Sequence, residues 1–270
     1  MDIDQLAFHL LSCLVPDGFR QGTNPLPVML SCVGTGKVNG TMRLQNKASV
    51  TDASAKDSVF DEAYRLPRNY LLTKQFFDWI AALFGLVVLA PLMVVLGVLI
   101  KLTSPGPVFY RQLRVGYSNR PFLIYKFRTM RADAERGGAQ WACRNDPRVT
   151  PFGRFLRRTH LDEIPQLINV LKGEMSLVGP RPERPIFVSQ LSQQIDHYPL
   201  RLRVKPGITG LAQVSHGYDE SIEDVKIKLD YDLRYIRQCG IITDFKIILG
   251  TFWTLVTGRT RDVGFETSRS

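Results

Sequence analysis

The chain has 270 residues, 44% hydrophobic and 22% charged, so its composition excludes a wholly disordered protein and its length excludes two large domains. Its formal net charge is +10, and residues 101–184 carry most of it, with 16 Lys and Arg against 7 Asp and Glu. Such a field attracts polyanions, whether nucleic acid, anionic lipid headgroups or nucleotide phosphates, and charge alone does not choose among them.

The N-terminal quarter carries few structural signals. Residues 1–66 combine one apolar run with a charged stretch rich in Gly, Ser, Thr and Asn between Gly34 and Lys56. This composition predicts a loosely structured extension over residues 1–66. The cysteines have neither CxxC spacing nor paired histidines nearby, which predicts reduced thiols and no disulfide framework or zinc site; they are Cys13, Cys32, Cys143 and Cys239.

A long apolar segment follows the extension. From Trp79 to Ile100 the chain runs for 22 residues without a charge. A helix of this length, rising about 1.5 Å per residue, crosses the ~30 Å hydrocarbon core of a bilayer. Soluble helices rarely stay apolar on every face for so long. We therefore predict a membrane anchor over residues 67–104.

Pro91 lies near the centre of the apolar segment, where it removes a backbone hydrogen bond and favours a kink. Basic residues flank the segment on both sides, and the positive-inside rule places basic flanks in the cytoplasm. If both flanks obey the rule, the segment enters and leaves by the same face of the membrane. We predict such a re-entrant hairpin, with a kinked spanning helix as the alternative.

Residues 105–270 are predicted to form a catalytic domain at the membrane surface. Two short strands, Val108–Gln112 and Pro121–Phe127, are separated by turn residues and predict a small β-hairpin. Thr159 is predicted to cap a helix whose first turn holds Asp162 and Glu163 and which ends at Gly173.

Helical periodicity continues toward the C-terminus. Glu183–His197 is predicted to be a helix and Lys205–Gly210 a loop. Ser221–Gln238 has an apolar stripe, which predicts an amphipathic helix, and the apolar tail Phe245–Val256 is predicted to lie in the membrane interface. The predicted fold class is α+β and mostly helical: a monotopic membrane protein with a re-entrant, proline-broken helix, amphipathic interfacial helices and a small β-hairpin.

The adjacent carboxylates of Asp162 and Glu163 are the sharpest chemical signal. At a helix start, backbone N–H groups and the helix dipole favour the ionised form of both. An ionised aspartate beside arginines can attack phosphorus, and its neighbour can hold a Mg²⁺ that neutralises a pyrophosphate. Acidic residues are also common decoration of a first helical turn, so the pair alone leaves both interpretations open.

Two basic residues are candidates for binding phosphate. Arg181 lies on a stiff loop between Pro180 and Pro182, which suits bidentate phosphate binding; a solvated surface arginine is the alternative. Lys126 lies near the end of the second predicted strand, where it can contact phosphate or face anionic lipid.

Taken together, these segments resemble the bacterial sugar transferase family, the monotopic polyprenyl-phosphate phosphoglycosyl transferases. The likeness covers roughly Lys74 to the C-terminus, and its central block is long and specific. It rests on RQLRVG (Arg111–Gly116), YKFRTM (Tyr125–Met130), LRRTHLDEIPQLINVLKGEMSLVGPRP (Leu156–Pro182), KPGITGLAQV (Lys205–Val214) and YDLRYI (Tyr231–Ile236).

The resemblance implies a two-step transfer of a hexose phosphate from a UDP-sugar to polyprenyl (undecaprenyl) phosphate, with release of UMP. Asp162 would be the nucleophile and Glu163 would hold Mg²⁺, while Lys126, Arg157 and Arg181 match substrate-binding positions. It also implies a bacterial inner-membrane protein whose catalytic domain faces the cytoplasm. Membrane lipid is then a partner, nucleic acid is not, and a homodimer is left open.

The chain departs from the family pattern at the helix break and in the catalytic domain, and the second departure keeps a rival function open. Many members have Ser-Pro at the helix break, where this chain has Ala90-Pro91, and many read Asn-Gly-Arg where this chain has Ser215-His216-Gly217. A catalytically inactive membrane adaptor of a polysaccharide assembly system is therefore the alternative function. A basic nucleic-acid-binding protein is a second alternative, but the sequence has no clear reading helix or stacking surface.

Overall fold

A computed structural model describes residues 66–134, 146–216 and 221–257. This part of the chain is mostly helical, as predicted. The helices are α1 (Arg68–Thr103), α2 (Pro151–Arg158), α3 (Leu167–Leu171), α4 (Pro185–Gln194), α5 (Leu211–Ser215), α6 (Ile222–Arg237) and α7 (Ile241–Thr257). The strands are β1 (Phe109–Val115), β2 (Pro121–Phe127), β3 (Ser176–Val178) and β4 (Gly207–Thr209). The predicted N-terminal extension lies almost wholly outside the described residues and stays a prediction.

Helix α1 contains the predicted membrane anchor. Among the described residues it is the one helix long and apolar enough to cross a membrane. Its 36 residues extend about 54 Å, well beyond the ~30 Å of a hydrocarbon core. The helix continues without interruption through Pro91, so the break predicted there is not present as a gap in the helix.

One face of α1 packs on the rest of the protein along most of its length. Toward the N-terminal end, Ala82 is fully buried in an apolar cluster with residues of β2 and α3. Toward the C-terminal end, Leu96 and Ile100 pack against Phe127 and Leu156. The other face carries large exposed side chains, namely Phe76, Phe77, Ile80, Leu83, Phe84, Val87, Val88, Val94, Val95, Val98 and Leu102. An unpartnered apolar face of this size is typical of contact with lipid.

The predicted β-hairpin is confirmed. Strands β1 and β2 pair antiparallel from Phe109↔Phe127 to Val115↔Pro121, so β1 runs three residues further than the predicted end at Gln112. A short 3₁₀ turn, Tyr117–Asn119, joins the two strands.

A second, parallel two-stranded sheet was missed by the sequence analysis. The segment 205–210 was predicted to be a loop, but β4 within it pairs with β3. Glycines allow the close approach: a Cβ on Gly207 would collide with the backbone of Gly179, and a Cβ on Gly179 with the backbone carbonyl of Lys205. Three-residue strands carry too little periodicity to be recognised locally, and only their distant pairing defines them.

The C-terminal helices follow the prediction closely. Ser221 caps α6 with a complete capping box, and the helix ends before Gln238, as predicted. α4 is shorter than the predicted Glu183–His197. The predicted apolar tail is α7, whose outer face exposes Ile242, Phe245, Phe252, Trp253 and Val256.

Gly153→Ala is expected to lower the free energy of unfolding by about 3 kcal/mol, as overpacking does at its most severe. An added Cβ would collide with the backbone carbonyl of Thr129, which also accepts hydrogen bonds from Thr150. Gly97→Ala is the matched control, because a Cβ there meets Val108 at an ordinary 3.4 Å. Thermal unfolding of the detergent-solubilised variants measures both. An unchanged midpoint for Gly153→Ala would show that this backbone contact can relax.

Candidate active site

The two adjacent carboxylates lie in a short 3₁₀ helix, Leu161–Gln166, and not in the first turn of a long α-helix. Thr159 does not cap their helix as predicted. Its hydroxyl instead donates to the carbonyl of Phe155 at the C-terminal end of α2. The chain then reverses at His160, whose φ of 53° is left-handed. This tight turn directs both carboxylates into the protein, where Asp162 and Glu163 are buried.

Glu163 is held by two cations from distant parts of the chain. Lys126 Nζ on β2 donates to Glu163 Oε1 at 2.7 Å. Arg181 Nη2 donates to the same oxygen at 2.6 Å, and Arg181 Nη1 lies 3.4 Å from Oε2. Three of the five predicted site residues therefore meet at one carboxylate.

Asp162 is next to Glu163 but is bound differently. Its side chain is buried, yet within the described parts of the chain its carboxylate receives no hydrogen bond and forms no ion pair. Buried carboxylates normally have partners, because desolvation without them is costly. The two neighbouring carboxylates therefore differ in their surroundings: Glu163 is held by two cations, and Asp162 has no hydrogen-bond or ion-pair partner among the described residues.

The pKa values of Asp162 and Glu163 are shifted in opposite directions, in agreement with their different contacts. Burial, followed by the charge of Glu163, raises the pKa of Asp162, and Lys126 and Arg181 only partly offset this. Burial alone would raise the pKa of Glu163, but Arg181 and Lys126 outweigh it and hold that pKa well below its usual range. Burial and a like charge therefore oppose the ionised form of Asp162, whereas two neighbouring cations favour the ionised form of Glu163.

Arg157 is not brought to the carboxylates. Its Nε donates to Thr129 Oγ1 at 2.9 Å, and it forms no hydrogen bond or ion pair with Asp162 or Glu163. Arg157 and Asp162 are five residues apart, but the intervening turn at His160 separates their directions. A role for Arg157 in binding substrate stays a prediction.

The sequence analysis missed a buried ion pair behind Arg181. Arg201 and Asp232 have side chains only 3% and 2% exposed, and Arg201 Nη2 lies 2.7 Å from Asp232 Oδ2. The sequence feature that could have indicated this ion pair is an acidic residue on an apolar helix face: Asp232 lies between the buried Leu229 and Ile236 of α6. A carboxylate on such a face needs a buried cation.

In the described part of the chain, few oxygen donors near Glu163 are available to a magnesium ion. The described residues contain no group of three or more His, Cys, Asp or Glu side chains that could hold a metal ion. Glu163 Oε2 has only the long contact to Arg181, so one carboxylate oxygen is left for a cation. Mg²⁺ commonly takes one or two carboxylates and completes its shell with substrate phosphates and water. The donor set therefore fits an ion that arrives with a pyrophosphate.

The structure describes only part of the segment Ser215-His216-Gly217, which departs from the family pattern. Ser215 ends α5, and His216 Nε2 lies 3.8 Å from Asp224 Oδ1. Gly217 lies outside the described residues.

Comparisons with known proteins agree with the resemblance noted in the sequence. The family model for bacterial sugar transferases matches residues 69–258. The chain is 47% identical over 189 residues to the UDP-N-acetylgalactosamine-undecaprenyl-phosphate N-acetylgalactosaminephosphotransferase of Aeromonas hydrophila, covering 70% of this chain and 45% of that protein. It is 42% identical over 195 residues to the UDP-glucose:undecaprenyl-phosphate glucose-1-phosphate transferase of Caulobacter vibrioides, covering 71% and 73%.

The extent of the match differs among relatives. The exopolysaccharide production protein PSS of Rhizobium leguminosarum bv. phaseoli is 39% identical over 201 residues, which is 72% of this chain and 99% of that protein. In contrast, the chain spans less than half the length of the Aeromonas relative.

Proposed function

The chain belongs to the bacterial sugar transferase family, and on that premise we propose that it transfers a hexose 1-phosphate from a UDP-sugar to undecaprenyl phosphate. This reaction would initiate the synthesis of an exopolysaccharide or a related glycan. The observation that carries the proposal is the division of the acidic pair: Asp162 is buried without a partner, while Glu163 beside it is held by Lys126 and Arg181.

In the first proposed step, a carboxylate oxygen of Asp162 attacks the sugar-bearing phosphorus of the UDP-sugar. The bond from this phosphorus to the bridging oxygen breaks, and UMP leaves with the electron pair. A raised pKa makes the ionised carboxylate a stronger nucleophile, and the absence of hydrogen bonds leaves its lone pairs free to react.

In the second proposed step, a phosphate oxygen of undecaprenyl phosphate attacks the same phosphorus. The bond to Asp162 breaks, the carboxylate is restored, and undecaprenyl diphosphate sugar is released. Both steps conserve charge on the enzyme. The arrangement of Asp162 therefore supports a double displacement through a covalent aspartyl intermediate.

Lys126 and Arg181 are proposed to neutralise the pyrophosphate as negative charge moves to the leaving group. They reach the acidic pair from two separate segments of the chain. Because Glu163 already orients both side chains, little reorganisation energy is needed during the reaction. Arg157 is proposed to contact the donor from the neighbouring helix α2, in keeping with its family position.

Mg²⁺ is proposed to bind at Glu163 together with the donor, where it would neutralise the pyrophosphate and stabilise the departing UMP. Glu163 would supply one carboxylate oxygen, and Arg181 and Lys126 hold that carboxylate in place.

Removal of divalent metal is expected to abolish UMP release, and added Mg²⁺ should restore it. The reason is that without the metal only Lys126 and Arg181, which already share the charge of Glu163, are left to balance the pyrophosphate charge. UMP release is measured in excess EDTA and then with Mg²⁺ in excess of the chelator. Calcium is the control cation, because its larger size and looser geometry suit the site less well. Full activity in EDTA would contradict a metal role.

The membrane arrangement is proposed to be re-entrant, with both ends of α1 at the cytoplasmic face of the inner membrane. Contacts at both ends support this. Lys74 forms an ion pair with Asp244 at 2.7 Å, and Asp78 accepts a hydrogen bond from Ser176 at 2.6 Å. At the other end, Arg128 Nη2 donates to the carbonyl of Ser104 at 2.7 Å. A helix crossing the bilayer would separate one set of contacts from the catalytic domain.

Cysteines introduced at Asn69 and Pro105 are expected to be protected from a membrane-impermeant thiol reagent in intact cells. Both positions are exposed and flank the apolar part of α1. The native cysteines are first replaced by serine, and labelling after permeabilisation shows that each site is reactive. Val88→Cys on the exposed apolar face is the control, expected to stay protected by lipid in both states. Labelling of the Asn69 site alone in intact cells would show a spanning helix.

The proposed function is tested by incubating purified protein with undecaprenyl phosphate and a panel of UDP-sugars. UMP release with one donor would support the function and identify the sugar. No UMP release with any donor would favour the inactive adaptor. The presence of Asp162, Glu163, Lys126 and Arg181 together argues against that interpretation.

A further inference from the structure

The loop that carries Arg181 is held in place by hydrogen bonds from other segments of the chain. Residues 181–184 have no regular secondary structure, and the prolines at 180 and 182 lack the N–H groups that would stabilise a turn. Nevertheless, the four consecutive carbonyl oxygens of residues 180–183 all accept hydrogen bonds. Pro180 O accepts from the backbone N–H of Gly207 at 3.0 Å, and Glu183 O accepts from that of Val115 at 2.9 Å.

The two central carbonyls are held by arginine side chains. Arg201 Nη2 donates to the carbonyl of Arg181 at 2.9 Å. Arg114 Nη1 donates to the carbonyl of Pro182 at 3.0 Å. The loop is therefore fixed on both sides of the peptide that sets the direction of the Arg181 side chain.

Arg201 is itself fully constrained. Its Nε and Nη2 contact Asp232 Oδ2 at 3.0 and 2.7 Å, and its Nη1 donates to Tyr198 Oη at 2.8 Å. The guanidinium thus joins helix α6, the 3₁₀ helix Tyr198–Arg203 and the Arg181 loop in one buried unit. A lysine has a single charged nitrogen and cannot span these three acceptors in the same plane.

We propose that Arg201, oriented by Asp232, is a positioning residue for Arg181: it holds the loop so that the Arg181 guanidinium meets Glu163 and the donor phosphates. Neither Arg201 nor Asp232 touches the acidic pair, so they act through Arg181. The positioning is independent of the proposed function, and only its effect on turnover rests on that function.

Hydrogen exchange of the intact protein tests the positioning without any substrate. In Arg201→Lys, the backbone amides of Gly207 and Val115, which donate to the carbonyls of this loop, are expected to exchange about tenfold faster, the change that follows the loss of one charge-assisted hydrogen bond. Arg234→Lys is the matched control, since Arg234 forms an exposed ion pair with Asp230 on the same helix α6. Unchanged exchange in Arg201→Lys would overturn the proposal.

Measuring UMP release tests whether the position of Arg181 affects turnover. Arg201→Lys is expected to lower turnover by about 100-fold, as misplacement of a catalytic group by ~1 Å can do. The KM for the UDP-sugar should rise as well, because a displaced Arg181 guanidinium meets the donor phosphates less well. A loss of folded protein alone would lower the rate without raising this KM.

A double-mutant cycle separates action through Arg181 from a general structural effect. In an Arg181→Ala background, Arg201→Lys is expected to cause no further loss of turnover. Additive losses would overturn the proposal. Asp232→Asn, with Asp230→Asn as its control, gives the same test from the other side of the ion pair. If the wild-type protein releases no UMP, the proposed function fails, while the exchange experiment still decides the positioning.

Discussion

Replacing Asp162 by asparagine is expected to reduce UMP release to background, a loss of at least about 10⁴-fold, as for other enzymes that lose a covalent nucleophile. The substitution keeps the size and shape of the side chain but removes the charge of the attacking oxygen. Because the carboxylate has no hydrogen-bond or ion-pair partner among the described residues, no other contact is lost.

The stability of the same variant should move in the opposite direction. Burial and the charge of Glu163 raise the pKa of Asp162, so at neutral pH folding has to bury an ionised group at a cost. Asparagine removes that cost, and the thermal midpoint of Asp162→Asn should be equal to or above that of the wild type. Such a gain in stability at the expense of activity is typical of a functional site.

Intact-protein mass spectrometry measures the step directly. With a UDP-sugar and no lipid acceptor, wild-type protein should gain the mass of a sugar phosphate, and Asp162→Asn should not. Asp196→Asn, at an exposed position, serves as the control and should behave like the wild type. Near-normal UMP release or adduct formation by Asp162→Asn would remove Asp162 from its proposed role.

Neutralising the adjacent carboxylate, in Glu163→Gln, is expected to lower both activity and stability. Lys126 and Arg181 would lose the anion that they share, and the cost falls mainly on Lys126, because the Arg181 side chain is 36% exposed to solvent. Turnover should fall by on the order of 10²–10³, the range found when a preorganised electrostatic group is removed. The thermal midpoint should fall as well.

The two variants form a matched pair, because each removes one negative charge from neighbouring positions. If the pair is divided into a reactive and a structural member, the midpoints should diverge, with Asp162→Asn at or above the wild type and Glu163→Gln below it. Parallel shifts of the midpoint would mean that the two carboxylates are equivalent. Thermal unfolding of both variants in the same detergent provides the measurement.

Much of the protein was predictable from local sequence patterns. The apolar run inside α1, the hairpin strands and the amphipathic helix α6 follow from periodicity, turn residues and caps, which act over a few neighbouring residues. The acidic pair and the loop arginine were recognised because their motif is continuous in the sequence. The family comparisons then confirmed the resemblance that these motifs carry.

Only the tertiary structure decided how the site is assembled. Lys126 comes from 37 residues before Glu163 and Arg181 from 18 residues after it, whereas Arg157, five residues before Asp162, turns away to Thr129. Burial and the ion pairs of Lys126 and Arg181 with Glu163 also make the neighbouring carboxylates chemically unlike. Periodicity and motif spacing determine which residues are available, but the desolvation and ion pairing that set their roles depend on segments brought together only when the chain packs.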